Sequence, residues 1–220
     1  MSEESKVESQ IEAQSGAWHW GSYPGYCQLS HQTKINRFPK IFESAKQICP
    51  NPKRVLSFGC STGEEVFTLA DIYTEAEIVG VDIDWHSVST ARRNNKQKDR
   101  IFFHTDAGAT GLYDLVTCFM VLFALDKPVP RDRWDETVNT IDKHVAMGGL
   151  LMVYTSEYDF KSSPIAYKYD VEREWKRVHD KNNKEYFCGY YFKKRILPMP
   201  QVTYIEKPTE FNLEQLAKMV

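Results

Sequence analysis

The sequence lacks the patterns that mark a membrane protein, a secreted protein or a zinc protein. None of its apolar runs reaches the length of about 18 residues that a membrane-spanning helix requires. The polar, acidic N-terminus MSEESKVESQ does not resemble a secretory signal. The five cysteines are scattered without a CxxC pair, which argues against a disulfide framework or a zinc site. We therefore expect buried thiols, no bound metal and a cytoplasmic location.

Strong net charge is absent as well. The formal net charge is -2 at pH 7, so bulk electrostatics give no support for a nucleic-acid partner. The 220 residues suffice for one sizeable core and not for two. We therefore expect one domain over residues 31–220, preceded within residues 1–30 by a polar tail and an aromatic segment, GAWHWGSYPGYCQLS. For this segment two interpretations stay open: a lid over a binding site, or a hydrophobic brace across the helices.

Helix-like and strand-like stretches alternate along the rest of the chain. Apolar residues at helical spacing predict a helix over Thr33 to Ile48, with Pro39 either in its first turn or breaking it. Further helices are predicted at Glu64–Tyr73, Ser87–Lys96 and Arg131–His144. Strands are predicted at Arg54–Phe58, Glu77–Val81, Ile101–His104, Asp114–Val121, Leu150–Thr155, Glu174–His179 and Glu185–Lys193.

The order of these segments predicts the fold class. Nearly continuous apolar strands that alternate with helices are typical of a parallel sheet covered by helices on both faces. The segment DKNNK between the last two strands is typical of a β-hairpin turn, which makes these strands antiparallel. We therefore expect an α/β fold with a doubly wound, mostly parallel seven-stranded sheet that ends in an antiparallel C-terminal hairpin.

The stretch VLSFGCSTGEEVFTLA, from Val55 to Ala70, lacks two common phosphate-binding patterns: GxGxxG, and a lysine followed by serine or threonine. Its small residues, 59–63, lie between a strand and its helix, at the edge where open α/β sheets bind ligands. Glu64 and Glu65 follow them; these acids suit a helix N-terminus but would repel a pyrophosphate. They are therefore either helix-start acids or partners of a positively charged ligand.

Two further acids follow the next strands. Asp82 ends the second strand, about 20 residues beyond the loop, where it could accept hydrogen bonds from ribose hydroxyls; an N-cap of the next helix is the alternative. Asp106 ends the third strand and could accept from an adenine amino group or serve as a turn residue. The crevice then has two places for a nucleoside and none for phosphates. This pattern fits S-adenosylmethionine, an adenosine that carries a sulfonium and an amino acid.

The sequence resembles class I methyltransferases, and more closely their CheR-like branch, the chemotaxis receptor methyltransferases. GCSTGEEVFTLA resembles the branch's glycine loop and helix, and TKINR at 33–37 resembles its T-x-F-F-R. YDLVTCFMVLFALDKP resembles its fourth strand, and residues 148–157 resemble its G-L-L…S-E strand. The likeness covers about Gln32 to Glu157. It implies a Rossmann-like methyltransferase fold and methyl transfer from S-adenosylmethionine.

The resemblance also implies roles for single residues. Arg37, with Thr33, would hold the methionine end of the cofactor, unless Arg37 is a solvated surface charge. Glu64 or Glu65 would accept from the cofactor's ammonium, and Asp82 would take the ribose hydroxyls. The other residues assigned to the cofactor are Asp106 and Ala107 at the adenine, Phe119 and Met120 beside the sulfonium, and Gly59, Cys60, Ser61, Thr62, Gly63 and Ile83 along the pocket. For Phe119, a place in the core is the alternative.

The methyl acceptor has no motif in this sequence. We expect an oxygen or carboxyl nucleophile on a small molecule rather than on a protein, with no nucleic-acid or membrane partner, and we identify no catalytic base. Cys118-Phe119-Met120 stands where the branch usually carries Arg-Asn after its cysteine. A non-catalytic nucleoside-binding module that acts through a partner protein is therefore an alternative. A nicotinamide dehydrogenase is a weaker one, because GxGxxG is missing.

Overall fold

Residues 33–105, 111–124, 128–179 and 184–195 are described by the computed structural model. The α-helices are α1 (Pro39–Ile48), α2 (Glu64–Ile72), α3 (Trp85–Asn94) and α4 (Arg131–Asp142). The strands are β1 (Arg54–Phe58), β2 (Glu77–Val81), β3 (Ile101–His104), β4 (Tyr113–Phe119), β5 (Val145–Ser156), β6 (Tyr169–His179) and β7 (Lys184–Lys193). Two 3-10 turns, Phe160–Ser162 and Ala166–Lys168, lead from β5 to β6.

The seven strands form one sheet in the order β3-β2-β1-β4-β5-β7-β6. The first five strands are parallel, whereas β7 is antiparallel to both β5 and β6. The predicted α/β fold with its mostly parallel sheet and antiparallel hairpin is therefore confirmed. The chain leaves β1 towards β2 on one side and later returns to β4 on the other. This reversal beside β1 opens a crevice at the carboxyl ends of the two strands, where such sheets bind ligands.

The sheet is covered on both faces, because neighbouring strand residues point in opposite directions. Val55 packs in a cluster with side chains of α1, α2 and α3, whereas Leu56 packs in a second cluster with side chains of α4. Both residues are fully buried. This arrangement explains why the central strands are apolar on both faces. In the described ranges, no helix has the length and hydrophobicity needed to cross a membrane.

Several elements begin at other residues than the sequence predicts, for local reasons. Helix α1 begins at Pro39 rather than Thr33, because proline has no N–H to donate and suits the first helical position. Helix α3 begins before Ser87, because the Asp84 carboxylate accepts from the N–H groups of His86 and Ser87. Strand β5 begins well before Leu150 and continues through the two glycines.

Candidate functional site

The loop between β1 and α2 is a tight turn built from left-handed backbone conformations. Gly59, Ser61 and Gly63 have φ angles of 84°, 49° and 97°. A Cβ atom on Gly63 would lie 3.0 Å from the Phe103 ring, so both conformation and space favour glycine. The N–H of Gly59 donates to the Val81 carbonyl of β2 over 2.8 Å. The loop is therefore fixed to the neighbouring strand at the carboxyl edge of the sheet.

Asp82, directly after β2, holds this loop from the side. One carboxylate oxygen accepts from the Ser61 N–H over 2.8 Å, and the other accepts from the Asp84 N–H over 2.9 Å. Asp84, not Asp82, is the N-cap of α3. The half-buried Asp82 therefore lies between the glycine loop and the start of α3. Ile83, also half-buried, lies between the two acids.

Glu65 reaches from α2 to the last register pair of β1 and β4. Its Oε1 atom accepts from the hydroxyls of Ser57, over 3.0 Å, and Thr117, over 2.6 Å. These two residues are register partners on β1 and β4, and both are fully buried. Burial raises the pKa of Glu65 to about 7, although the two hydroxyls and the charge of Arg37 lower it. The switch point of the sheet therefore contains a carboxylate that titrates near neutral pH.

Glu64 has a different environment from Glu65. Its Oε2 atom accepts from the Thr62 hydroxyl over 2.7 Å, so it stays beside the glycine loop. Its carbonyl accepts from the Thr68 hydroxyl, which in turn accepts from the N–H of Asn36 over 2.8 Å. This chain of hydrogen bonds fastens the segment before α1 to helix α2. The sequence predicts the same role for either glutamate, whereas the structure places only Glu65 under the crevice.

Arg37 lies in this fastened segment and is half-buried. Its guanidinium carbon is 5.1 Å from the centroid of the Phe38 ring. Arg37 is also close enough to Glu65 and Tyr154 for its charge to lower the pKa of each, although burial raises both pKa values overall. The structure therefore brings a guanidinium and a carboxylate together at the crevice. Thr33, at the start of the described chain, is half-buried.

At the end of β4, the structure agrees with the core alternative for Phe119. The Phe119 ring is 5% exposed and packs against Phe38, Phe42 and Tyr154, so it belongs to the core. Met120 is half-buried, has a left-handed φ of 61°, and donates its N–H to the Tyr154 carbonyl over 2.8 Å. Of the two side chains expected beside the sulfonium, only that of Met120 is outside the core.

Of three other predicted residues, only Cys60 lies within the described ranges. The Cys60 side chain is buried, and burial, together with the charges of Asp82 and Glu65, raises the pKa of its thiol. It is therefore a packed thiol rather than a reactive thiolate. Asp106 and Ala107 lie outside the described residues, as does the aromatic segment within residues 1–30.

Sequence reasoning missed several residues at this edge. Ser57 and Thr117 carried a signal, since each is a polar residue within a buried apolar strand. Arg177 of β6 carried none: its guanidinium reaches Met120 and Thr155 only through the pairing of the C-terminal hairpin.

The acids and small residues around the loop suit a nucleoside with an ammonium group. A phosphate would meet Glu64, Glu65 and Asp82 instead of a lysine.

A family model described as a methyltransferase domain matches residues 28–207. This chain belongs to that methyltransferase-domain family. The match covers most of the 220 residues and confirms the predicted enzyme class, an S-adenosylmethionine-dependent methyltransferase. A comparison with curated proteins found no match to this methyltransferase.

Solved methyltransferases share the fold. The N-methyltransferase NodS from Bradyrhizobium japonicum WM9, in complex with S-adenosyl-L-homocysteine, is 12% identical with a TM-score of 0.57, over 73% of this methyltransferase and 87% of NodS. Magnesium protoporphyrin IX methyltransferase (ChlM) from Synechocystis PCC 6803, with bound SAH, is 14% identical with a TM-score of 0.55, over 71% and 81% of the two chains. StiE O-MT residues 961–1257 are 16% identical with a TM-score of 0.53, over 72% and 75%. At such identities the likeness concerns the fold alone.

Proposed function

We propose that this methyltransferase transfers the methyl group of S-adenosylmethionine to an oxygen of a small-molecule acceptor, with a carboxylate as the favoured nucleophile. The observation that carries the cofactor site is the carboxylate of Glu65 at the last register pair of β1 and β4, with the charge of Arg37 nearby. The methionine end of the cofactor has an ammonium and a carboxylate. An acid and a guanidinium in one crevice match these two charges.

We assign the remaining cofactor contacts from the resemblance to class I methyltransferases. Asp82 takes the ribose hydroxyls while it holds the glycine loop in place. The loop lets the methionine end approach its backbone, and Met120 lies beside the sulfonium. Thr33 assists Arg37, Ile83 lies along the nucleoside, and Asp106 with Ala107 holds the adenine. S-adenosyl-L-homocysteine in the NodS and ChlM structures agrees with this choice of cofactor.

For this reaction the protein mainly has to position the cofactor and the acceptor and to exclude water. When bound, S-adenosylmethionine supplies a methyl carbon activated by the sulfonium, and its sulfur retains the electron pair of the broken carbon–sulfur bond. The residues of the crevice hold the acceptor oxygen in line with that bond, so that its lone pair forms the new carbon–oxygen bond. Arg37, Glu65 and Asp82 would fix the cofactor for this displacement.

A carboxylate acceptor is favoured because it is already ionised at neutral pH and needs no general base. Among the described residues just after β4 and β5, two carry carboxylates. Glu157 is paired with Lys184, and Asp159 accepts from the Lys161 N–H at the start of a 3-10 turn. We assign neither carboxylate the role of a general base.

We also assign the chain to the CheR-like branch, on the likeness of GCSTGEEVFTLA and of Arg37 to the branch's motifs. Its β4 ends in Cys118-Phe119-Met120 instead of the usual Arg-Asn after cysteine. Because this position is next to the proposed sulfonium site, the difference favours an acceptor other than a chemotaxis receptor.

Isothermal titration with S-adenosylhomocysteine tests the cofactor site. The variant Asp82→Ala removes the ribose acceptor and the anchor of the Ser61 N–H, so we expect the affinity to fall by about tenfold or more. Asp71→Ala, an exposed acid near the end of α2, is the matched control and should bind as the wild type does. NAD should not bind. Equal affinities of Asp82→Ala and the wild type, or no binding to the wild type, would refute the assignment.

A further inference from the structure

Arg177 of β6 extends across the carboxyl edge of the sheet to the ends of β4 and β5. Its Nη1 atom donates to the Thr155 hydroxyl over 3.1 Å and lies 3.7 Å from the Met120 sulfur. Its guanidinium carbon is 4.9 Å from the centroid of the Tyr154 ring. The side chain of Arg177 is half-buried, and Thr155 is fully buried. A fixed positive charge therefore lies directly beside Met120.

The two residues that hold the guanidinium have unfavourable backbone conformations. Met120 has a φ of 61° and Thr155 a φ of 70°. Left-handed conformations are unfavourable at residues other than glycine, and they cluster at sites of function. Threonine is β-branched, which makes its φ a true outlier. Both outliers are at the ends of adjacent strands, and both side chains face Arg177.

The charge of Arg177 is not balanced within the described ranges. The acids around the hairpin pair with other residues: Glu174 with Lys161, Glu185 with Lys176, and Glu157 with Lys184. Arg177 itself contacts a hydroxyl, a thioether and an aromatic ring, all of which are neutral.

The geometry of the guanidinium identifies the group that would balance this charge. Both protons of Nη1 are directed to Thr155 and Met120. Among the described residues, the Nε–H and Nη2–H groups have no hydrogen-bond partner and form a fork of two parallel donors. Such a fork binds a carboxylate through two parallel hydrogen bonds. One uncompensated positive charge beside a thioether and an aromatic ring suits a singly charged organic acid better than a phosphate.

We propose that Arg177 binds a carboxylate of the methyl acceptor through its Nε–H and Nη2–H groups, and thereby selects small organic acids as substrates. This inference rests on the proposed function, since it is the sulfonium site beside Met120 that makes the neighbouring space the acceptor site. The carboxylate is either the nucleophile itself or a neighbouring group of the same acceptor. In both cases Arg177 fixes the distance between the acceptor and the methyl carbon.

The test uses benzoate as the probe, benzamide as its neutral counterpart, and the full chain saturated with S-adenosylhomocysteine. NMR titration should detect benzoate binding to the wild type and none of benzamide. In Arg177→Met the benzoate affinity should fall by about tenfold or more, and Arg177→Lys, which keeps the charge without the fork, should recover only part of it. Arg173→Met, an exposed arginine on the same strand, is the matched control and should bind benzoate normally.

The outcomes separate this inference from the proposed function. Equal benzoate affinity in Arg177→Met and the wild type, or no benzoate binding to the wild type at millimolar concentrations, would overturn the role of Arg177. In calorimetry Arg177→Met should bind S-adenosylhomocysteine as tightly as the wild type does, because Arg177 lies outside the cofactor contacts. Failure of the wild type to bind S-adenosylhomocysteine would instead overturn the proposed function.

Discussion

Glu65 makes the stability of this methyltransferase depend on pH in an unusual direction. Its pKa in the folded chain is about 7, against an ordinary value of 4.5. The folded state therefore holds the proton more tightly than the unfolded state does. As pH rises from 4.5 to 7, the unfolded chain releases this proton before the folded chain does. The free energy of unfolding therefore decreases over this range. The two pKa values differ by about 2.5 units, and each unit corresponds to about 1.36 kcal/mol. Above pH 7 the free energy of unfolding is therefore lower by up to about 3 kcal/mol.

The variant Glu65→Gln removes this titration and keeps an oxygen that accepts from Ser57 and Thr117. We expect wild type and variant to have similar free energies of unfolding near pH 5. At pH 8.5 the variant should be more stable, by up to about 3 kcal/mol. Urea unfolding followed by circular dichroism at the two pH values measures the difference. A stability difference that does not change between pH 5 and pH 8.5 would refute the reasoning.

The proposed contact between this carboxylate and the cofactor's ammonium would link cofactor binding to pH. An ammonium binds the ionised form of Glu65, so the affinity for S-adenosylhomocysteine should rise with pH until about pH 7. At pH 5.5 only about 3% of a group with a pKa near 7 is ionised, which predicts an affinity about thirtyfold lower than the plateau. Glu65→Gln should bind weakly at every pH, without this rise. Calorimetry that shows parallel pH profiles for the two proteins would contradict the proposed contact.

Two further substitutions test the loop and the hairpin. Gly63→Ala places a Cβ 3.0 Å from Phe103 and 3.1 Å from Ala91 at a φ of 97°, so thermal unfolding should show a loss of about 2–3 kcal/mol. Lys184→Met removes the partner of Glu157, whose side chain is 6% exposed, and should cost about 1–3 kcal/mol in urea unfolding.

Each substitution has a control that isolates its cause. Thr62→Ala, in the same loop but without a left-handed φ, should cost less than Gly63→Ala; a larger loss would show that loop geometry is not the limiting feature. The double variant Glu157→Gln with Lys184→Met should recover stability relative to Lys184→Met, because no unpaired buried charge then remains. A double variant as unstable as the single one would contradict the ion-pair account.

The central sheet could be predicted closely from the sequence, for a physical reason. Strands buried on both faces must be apolar throughout, so Arg54–Phe58 and Glu77–Val81 are visible as short apolar runs with the bounds that the structure shows. The glycine loop could be placed because its small residues stand between such a run and an amphipathic helix. Helix starts were less visible, since they depend on single groups such as the Asp84 carboxylate.

The acceptor side could not be predicted in the same way. Arg177 is about 60 residues from Met120 in the chain, and only the hairpin register brings them together. A single arginine in a strand rich in charge has no pattern that distinguishes it from its neighbours. The different roles of Glu64 and Glu65 could not be predicted either, because the two residues are adjacent in the sequence. Only the rotation of the helix directs the Glu65 side chain towards the sheet.

Because β7 is antiparallel to β5, the proposed pocket takes its residues from two separate parts of the chain. Because β7 starts where β5 ends, the paired residues His179 and Lys184 lie at the same end of the sheet as the carboxyl ends of the parallel strands. In our proposals, residues from Thr33 to Met120 bind the cofactor, whereas Arg177 of the hairpin binds the molecule to be modified. Exchanging β6 and β7 for another hairpin of equal register should thus redirect the enzyme to new acceptors without rebuilding its nucleoside half.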